Sequence, residues 1–191
     1  MIQPNHFVKA GLFSPHRIKN HELEFLMLRR AFVNNQKKRP YIFPGEWVFP
    51  GGEYESTDNT LLDTALREFR EESGYLGQIK SPRLIFKGTF SRSTKFYYAE
   101  FYSGEIDNSL KLSPNKFEII DYSWFSPKKA LELITSAEFS DSQDLEIKRL
   151  GLDKLESDFY RVDKREIPGF TLKILDYLAL NQNLFLGVKN E

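Results

Sequence analysis

Residues 52–75 read GEYESTDNTLLDTALREFREESGY. Over residues 60–73, Leu62, Ala65, Leu66 and Phe69 recur at i, i+3, i+4 and i+7, which predicts a helix with one buried face. Thr57, Asp58 and Asn59 are its candidate N-caps, and Gly74 stands where a helix stops. Glu68, Glu71 and Glu72 sit at i, i+3 and i+4, so the same period gathers three carboxylates along one edge.

Clustered carboxylates repel, and each raises the others' proton affinity. Water relieves that on an exposed helix edge, and so does a bound cation. Oxygen-only ligands suit Mg²⁺ or Mn²⁺, which keep waters and bridge to substrate phosphates. An ion there neutralises a diphosphate, positions it and acidifies a water. A solvated acidic edge is the other reading of the same residues. Two neighbours favour the ligand reading. Gly51-Gly52, after the short strand Glu46-Trp47-Val48-Phe49, reads as a tight turn that lets backbone approach a ligand or ion. Arg67 can steady one carboxylate through a fork-shaped pair.

Working outward, residues 7–13 read as a short strand ended by Ser14-Pro15, and residues 23–32 as a second strand. The stretch 34–44 carries Lys37, Lys38 and Arg39, and reads either as a solvated loop or as a loop that meets a phosphate-bearing ligand. Residues 83–91 and 94–103 are two strands rich in Phe, Tyr and Ile joined by a polar turn, and 118–125 is another. Pro127 opens a helix that runs to residue 136, and a last helix covers 171–179. The polar segment 139–164 takes no clear assignment. Strands on both sides of a carboxylate-rich helix, with a helix at the end, predict an α+β or α/β sandwich. Phe90, Tyr97, Tyr98 and Phe101 read as strand core, with a stacking surface for adenine as the other reading. His6, His16 and His21 share no ligand spacing, so no metal role is expected of them.

The 191 residues suffice for one domain, and 40% hydrophobic with 28% charged residues is a globular composition. Lys+Arg and Asp+Glu each number 27, so neither nucleic acid nor a membrane surface is an expected partner. The absence of cysteine excludes disulfides, thiolate nucleophiles and Cys-based metal sites. No secretory signal or membrane-spanning run is visible, so a cytoplasmic protein is expected. A homodimer is compatible with all of this.

The opening stretch resembles the Nudix box. That pattern is Gly, five residues, Glu, seven residues, Arg-Glu, an apolar residue, any residue, Glu-Glu, any residue, Gly and an apolar residue. Arg67-Glu68-Phe69-Arg70-Glu71-Glu72-Ser73-Gly74-Tyr75 fits every fixed position of the second half. In the first half, Asp58 replaces the Glu, and eight residues rather than seven separate it from Arg67. The resemblance implies an α-β-α sandwich with a mixed sheet over residues 1–191, extended at its C-terminal end from residue 139. It implies an enzyme that hydrolyses the diphosphate linkage of a nucleoside diphosphate derivative with Mg²⁺ or Mn²⁺. By it, Glu68 and Glu72 are the principal metal ligands, Glu71 is a further one, and the Gly52 region supplies a carbonyl. Arg67 orients a glutamate, and Asp58 supports the helix start. The family often recruits a general base from outside the box, for which Glu100 and Glu118 are the candidates.

Gly45, three residues, then Phe49-Pro50-Gly51-Gly52 resembles the upstream signature of coenzyme A diphosphatases, and Arg30-Ala31 its earlier part. Ile167-Pro168-Gly169-Phe170-Thr171-Leu172-Lys173-Ile174-Leu175 is similar to that branch's C-terminal Ile-Trp-Gly-x-Thr segment, with Pro168 for Trp. Coenzyme A is therefore the favoured substrate, with ADP-ribose, an NDP-sugar or a dinucleotide next. Lys37, Lys38 and Arg39 are the nearest basic cluster for its 3′-phosphate. A nucleotide sensor without catalysis, and an interaction module using 139–164, are the rival readings; the intact Glu68, Glu71 and Glu72 argue against the sensor.

Overall fold

The computed structural model describes residues 7–34, 39–41, 43–92, 95–107, 111–152 and 168–186. Its strands are β1 (Phe7–Lys19), β2 (Glu22–Arg30), β3 (Val33–Asn34), β4 (Arg39–Pro40), β5 (Trp47–Val48) and β6 (Gly51–Glu53), followed after α1 (Leu61–Ser73) by β7 (Ile79–Arg92), β8 (Lys95–Ile106) and β9 (Ile119–Phe125). The helices α2 (Pro127–Thr135), α3 (Ala137–Arg149), α4 (Gly169–Leu180) and the short α5 (Asn183–Leu186) complete the order. The main sheet runs β5-β2-β1-β8-β7, with β6 on β1 and β9 on β2, while β3 and β4 pair separately. It is mixed: β1 is parallel to β8 and antiparallel to β2 and β6.

Strand β1 does not stop at Ser14-Pro15, as expected, but continues to Lys19. Residues through Pro15 pair with β8, and pairing with β2 begins at His16. The proline thus falls where the ladder changes partner, and a missing N–H is tolerated there. Ser14 Oγ bridges the gap by donating to the Leu26 carbonyl at 2.7 Å.

The pleat of β2 separates two cores. Leu23, Phe25 and Met27 pack with Ala130 and Ile134 of α2 and with Phe170, Ile174, Leu175 and Leu178 of α4. Leu26 and Leu28 face the other way, toward Ala65 and Phe69 of α1. Period-2 alternation therefore puts helices on both faces, the predicted α-β-α sandwich. The segment from 139 that resisted assignment is helical to Arg149 as part of α3; residues 153–164 lie outside the described ones. Among the described residues no helix is long and apolar enough to cross a membrane.

Helix α1 starts one residue later than the expected caps. Thr60, not Thr57, Asp58 or Asn59, is the N-cap: its hydroxyl accepts from Asp63 N–H at 3.1 Å, and Asp63 accepts from Thr60 N–H at 2.9 Å. This reciprocal box needs an acid three residues on, which only Thr60 has among the four. Gly74 closes the helix at φ 66°, its N–H donating to the Arg70 carbonyl.

The helix lies unusually near the sheet. A Cβ on Gly11 of β1 would overlap the Leu61 carbonyl oxygen and come within 2.8 Å of Ala65 N. Both obstacles are helix backbone, so neither can rotate aside. Gly11→Ala is expected to destabilise the fold by about 2–3 kcal/mol, the cost of overpacking at a rigid contact. Urea unfolding measures it, and a loss below about 0.5 kcal/mol would show that α1 is not seated on Gly11.

Candidate active site

The close seating of α1 decides which glutamates meet the sheet. Glu72 is 3% exposed and ends against β6, where Gly51 N–H donates to one carboxylate oxygen at 3.1 Å. Arg30, at the end of β2, donates to the other at 3.1 Å. Glu68, one turn earlier, lies against Gly52, where any Cβ would collide with its carboxylate. Gly51 and Gly52 are strand residues paired with Leu12 and Gly11, and neither has a positive φ. The expected turn is not there; these positions are glycine because a side chain would displace Glu68 or strike Gly11 and Leu12.

Glu71 points elsewhere. At roughly 100° per residue, the spacing i, i+3, i+4 still spreads carboxylates over a wide arc. The Glu71 side chain is 60% exposed and pairs with Arg67 at 3.3 Å. Arg67 is the hub of this edge. Its Nε and Nη2 clasp Asp58 at 3.2 and 3.1 Å, its Nη1 holds Glu68 at 2.9 Å, and its Nη2 also reaches the Glu53 carbonyl at 3.2 Å. Asp58 accepts in addition from Thr64 Oγ1 at 2.9 Å and Glu55 N–H at 3.0 Å. The shorter acid thus keeps a helix-supporting role despite the changed spacing.

Electrostatics separate these acids. Bonding to Arg67 holds the Asp58 carboxyl down to about 2. Burial raises Glu68, although Arg67 opposes it. Burial pushes Glu72 up to about 7, against the pull of Arg30 and with help from Glu68 and Glu118. Glu118 is brought there by a loop hooked onto the end of α1, where Ser113 and Asn115 N–H donate to the Ser73 and Glu72 carbonyls.

Glu68, Glu72, Gly51, Gly52 and Glu118 line one cavity of about 830 Å³. Its other wall carries Phe90, Tyr97, Phe170 and Lys173. Of the two candidate bases, Glu118 borders this space. Glu100 does not line it; it accepts from the Tyr98 and Tyr102 hydroxyls instead. Glu71 and Arg67 are also outside the lining. Phe90 and Tyr97 face the cavity, whereas Phe101 is core. Lys37 and Lys38 lie outside the described residues, and Arg39 falls in β4. His16 is bonded to Ser103 within the sheet, His21 occupies a left-handed turn position, and His6 lies outside the described residues.

Arg30, Glu53 and Lys173 were not picked out as site residues from sequence. For Arg30 a signal existed: it continues the parity of Leu26 and Leu28, and so emerges on the α1 side. Glu53 is held at the cavity wall by the Tyr97 hydroxyl at 2.9 Å and by Lys95 at 3.5 Å. Among the described residues no three acidic or imidazole groups form a ready metal cage. Mg²⁺ needs less, since it commonly takes one or two carboxylates and completes its shell with water and phosphate. Two oxygen donors of raised proton affinity, the half-buried Glu68 and the buried Glu72, fit that demand.

Residues 11–143 match the family described as the NUDIX domain. The chain belongs to the Nudix family. No curated protein sequence matches it significantly. Among solved structures, this Nudix chain is similar to a C. elegans Ap4A hydrolase in a binary complex, with TM-score 0.53 and 17% identity over 75% of this chain and 98% of that one. The NUDIX domain of Shewanella oneidensis NrtR, complexed with ADP ribose, gives TM-score 0.52 and 17% identity over 79% and 94%. The MutT protein from Methanosarcina mazei Go1 gives 0.53 and 22% over 78% and 99%. These likenesses bear on the fold. As a Nudix protein the chain is a hydrolase of the pyrophosphatase kind.

The depressed Asp58 gives a pH test of the Arg67 hub. Its folded value of about 2 lies below the ordinary 3.8, so its stabilisation is present above about pH 4 and is lost as pH falls toward 2. Asp58→Asn is expected to lower Tm at pH 7, with the gap from the parent protein closing between pH 4 and 2. A gap independent of pH, or none at pH 7, would remove Asp58 from the support of α1.

Proposed function

We propose that this Nudix hydrolase cleaves the diphosphate linkage of a nucleoside diphosphate derivative with Mg²⁺ or Mn²⁺, and that coenzyme A is its preferred substrate. The observation that carries the reading is the pair of half-buried Glu68 and buried Glu72, held against Gly52 and Gly51 at the wall of a cavity large enough for a nucleotide. Glu68, Glu72 and the Gly52 carbonyl would hold the ion. When bound, it supplies charge neutralisation for the diphosphate and acidifies a water. Arg67 steadies Glu68 and Asp58, and Arg30 fixes the orientation of Glu72. Glu118 accepts a proton from the attacking water. The new bond forms from water oxygen to phosphorus, the bond from that phosphorus to the bridging oxygen breaks, and the leaving phosphate carries the electron pair away.

Two separate stretches of the chain support the coenzyme A preference. The segments that resemble the coenzyme A diphosphatases, around Phe49-Pro50-Gly51-Gly52 and Pro168-Gly169-Phe170-Thr171, both contribute residues to the same cavity. The names of two structural neighbours, an Ap4A hydrolase and a domain complexed with ADP ribose, support an adenosine joined to a phosphate chain as the common element. Incubation of coenzyme A, ADP-ribose, an NDP-sugar and Ap4A with the protein and Mg²⁺, with products resolved by chromatography, tests this. Release of 3′,5′-ADP and 4′-phosphopantetheine at the highest kcat/KM is expected. A far higher kcat/KM for another of these compounds would overturn the substrate and leave the hydrolase.

Glu72→Gln keeps the shape and can keep the bond from Gly51 but loses the ion pair with Arg30, so turnover is expected to fall at least about 100-fold in a protein that still folds, at a lowered Tm. Retention of more than a tenth of the activity in Mg²⁺ would remove Glu72 from the site. Because Glu72 must lose its proton to ligate, apparent Mg²⁺ affinity should rise with pH up to about 7 and level off above it. Flat affinity between pH 5.5 and 7 would contradict that competition.

A further inference from the structure

We propose that Lys173 is a specificity residue that reads a phosphomonoester on the substrate's nucleoside, remote from the diphosphate being cut. The inference rests on the reading of the Glu68–Glu72 pole as the place of hydrolysis, and adds the recognition at the opposite pole. The cavity is built from both layers of the sandwich: Glu68 and Glu72 come from α1 on one face of the sheet, and Phe170 and Lys173 from α4 on the other. Phe170 and Lys173 are one turn apart and border the same space. Phe170 stacks on Phe90 at 4.8 Å, and Phe90 on Tyr97 at 4.8 Å with rings 6° from parallel. This wall is largely aromatic; its other polar groups are Ser91, Thr171 and Glu53, the last bonded to Tyr97 and Lys95, so Lys173 is the one cation it brings to the cavity.

The two cations of the lining are not equivalent. Arg30 is committed to Glu72. Lys173 is exposed and has no carboxylate partner among the described residues. A diphosphate held at the acidic pole leaves the rest of a nucleotide to run along the rings toward α4. A second anion there meets a lone ammonium beside apolar surface, where a charge-assisted hydrogen bond is strong. A nucleoside phosphomonoester fits that position. A neutral ribose or sugar does not use it. This assigns to α4 the role that the basic run Lys37, Lys38 and Arg39 was expected to fill.

Coenzyme A and dephospho-coenzyme A differ only in the 3′-phosphate, so their kcat/KM ratio isolates the contact. In Lys173→Met the ratio is expected to fall about 10- to 100-fold, and in Lys173→Arg to be largely retained. An unchanged ratio in Lys173→Met overturns the proposal. Calorimetric binding of 3′,5′-ADP and AMP, which needs no turnover, separates this inference from the hydrolase reading. If neither coenzyme is hydrolysed, a preference for 3′,5′-ADP that vanishes in Lys173→Met still supports it. Equal binding of the two nucleotides by the parent protein overturns it.

Discussion

The site depends on how closely α1 approaches the sheet. Two glycines make that approach, Gly11 by admitting the helix backbone and Gly52 by leaving room for the Glu68 carboxylate, while Gly51 lets β6 lie close on β1. With side chains at these positions, the helix would stand farther out and its acids would be solvated. Because it is seated, Glu72 is buried and bonded to Gly51 N–H, and its proton affinity rises. One steric constraint thus turns an ordinary acidic helix edge into an oxygen-donor pair at a cavity wall.

Seating alone does not set the acids' orientation. Arg67 does so from the solvent side through Asp58, Glu68 and Glu71, and Arg30 does so from the sheet side through Glu72. Arg30 of β2 reaches Glu72 of α1, and Arg67 of α1 reaches the Glu53 carbonyl of β6, so helix and sheet are locked in register as well as in distance. The loop that carries Glu118 is tied to the end of the same helix through Ser73 and Glu72 carbonyls. Position of the third acid therefore follows from α1 too, and the fold concentrates its chemistry around a single element.

Much of this was legible in sequence wherever the determinant is local. The period of Leu62, Ala65, Leu66 and Phe69 located α1, Gly74 marked its end, and Arg67 through Tyr75 marked its family resemblance. Arg67 as a carboxylate holder follows from its neighbours. The N-cap was misplaced because Asp58, a good capping residue, is engaged by Arg67, while the weaker-looking Thr60 has an acid three residues on. Reading Gly51-Gly52 as a turn missed a tertiary reason for glycine, since strand pairing and helix approach involve Gly11 and Glu68 far away in the chain. The divergence of Glu71 needed the actual facing of the helix. The segment around Lys173 carried a resemblance, but that Lys173 borders the same cavity as Glu68 and Glu72 was not legible, because the meeting of α4 with α1 at one cavity is set by sheet topology.

Where a divalent ion settles is the most direct test of this arrangement. Mn²⁺ added to ¹⁵N-labelled protein broadens backbone amide resonances steeply with proximity. Preferential loss of the Gly51, Gly52, Glu68 and Glu72 signals at substoichiometric Mn²⁺ is predicted, with Glu22, at the far end of β2 from Arg30, unaffected and the effect abolished in Gly52→Ala. Broadening centred on any other acidic residues, or unchanged in Gly52→Ala, would contradict the claim that the glycine-seated helix forms the metal site.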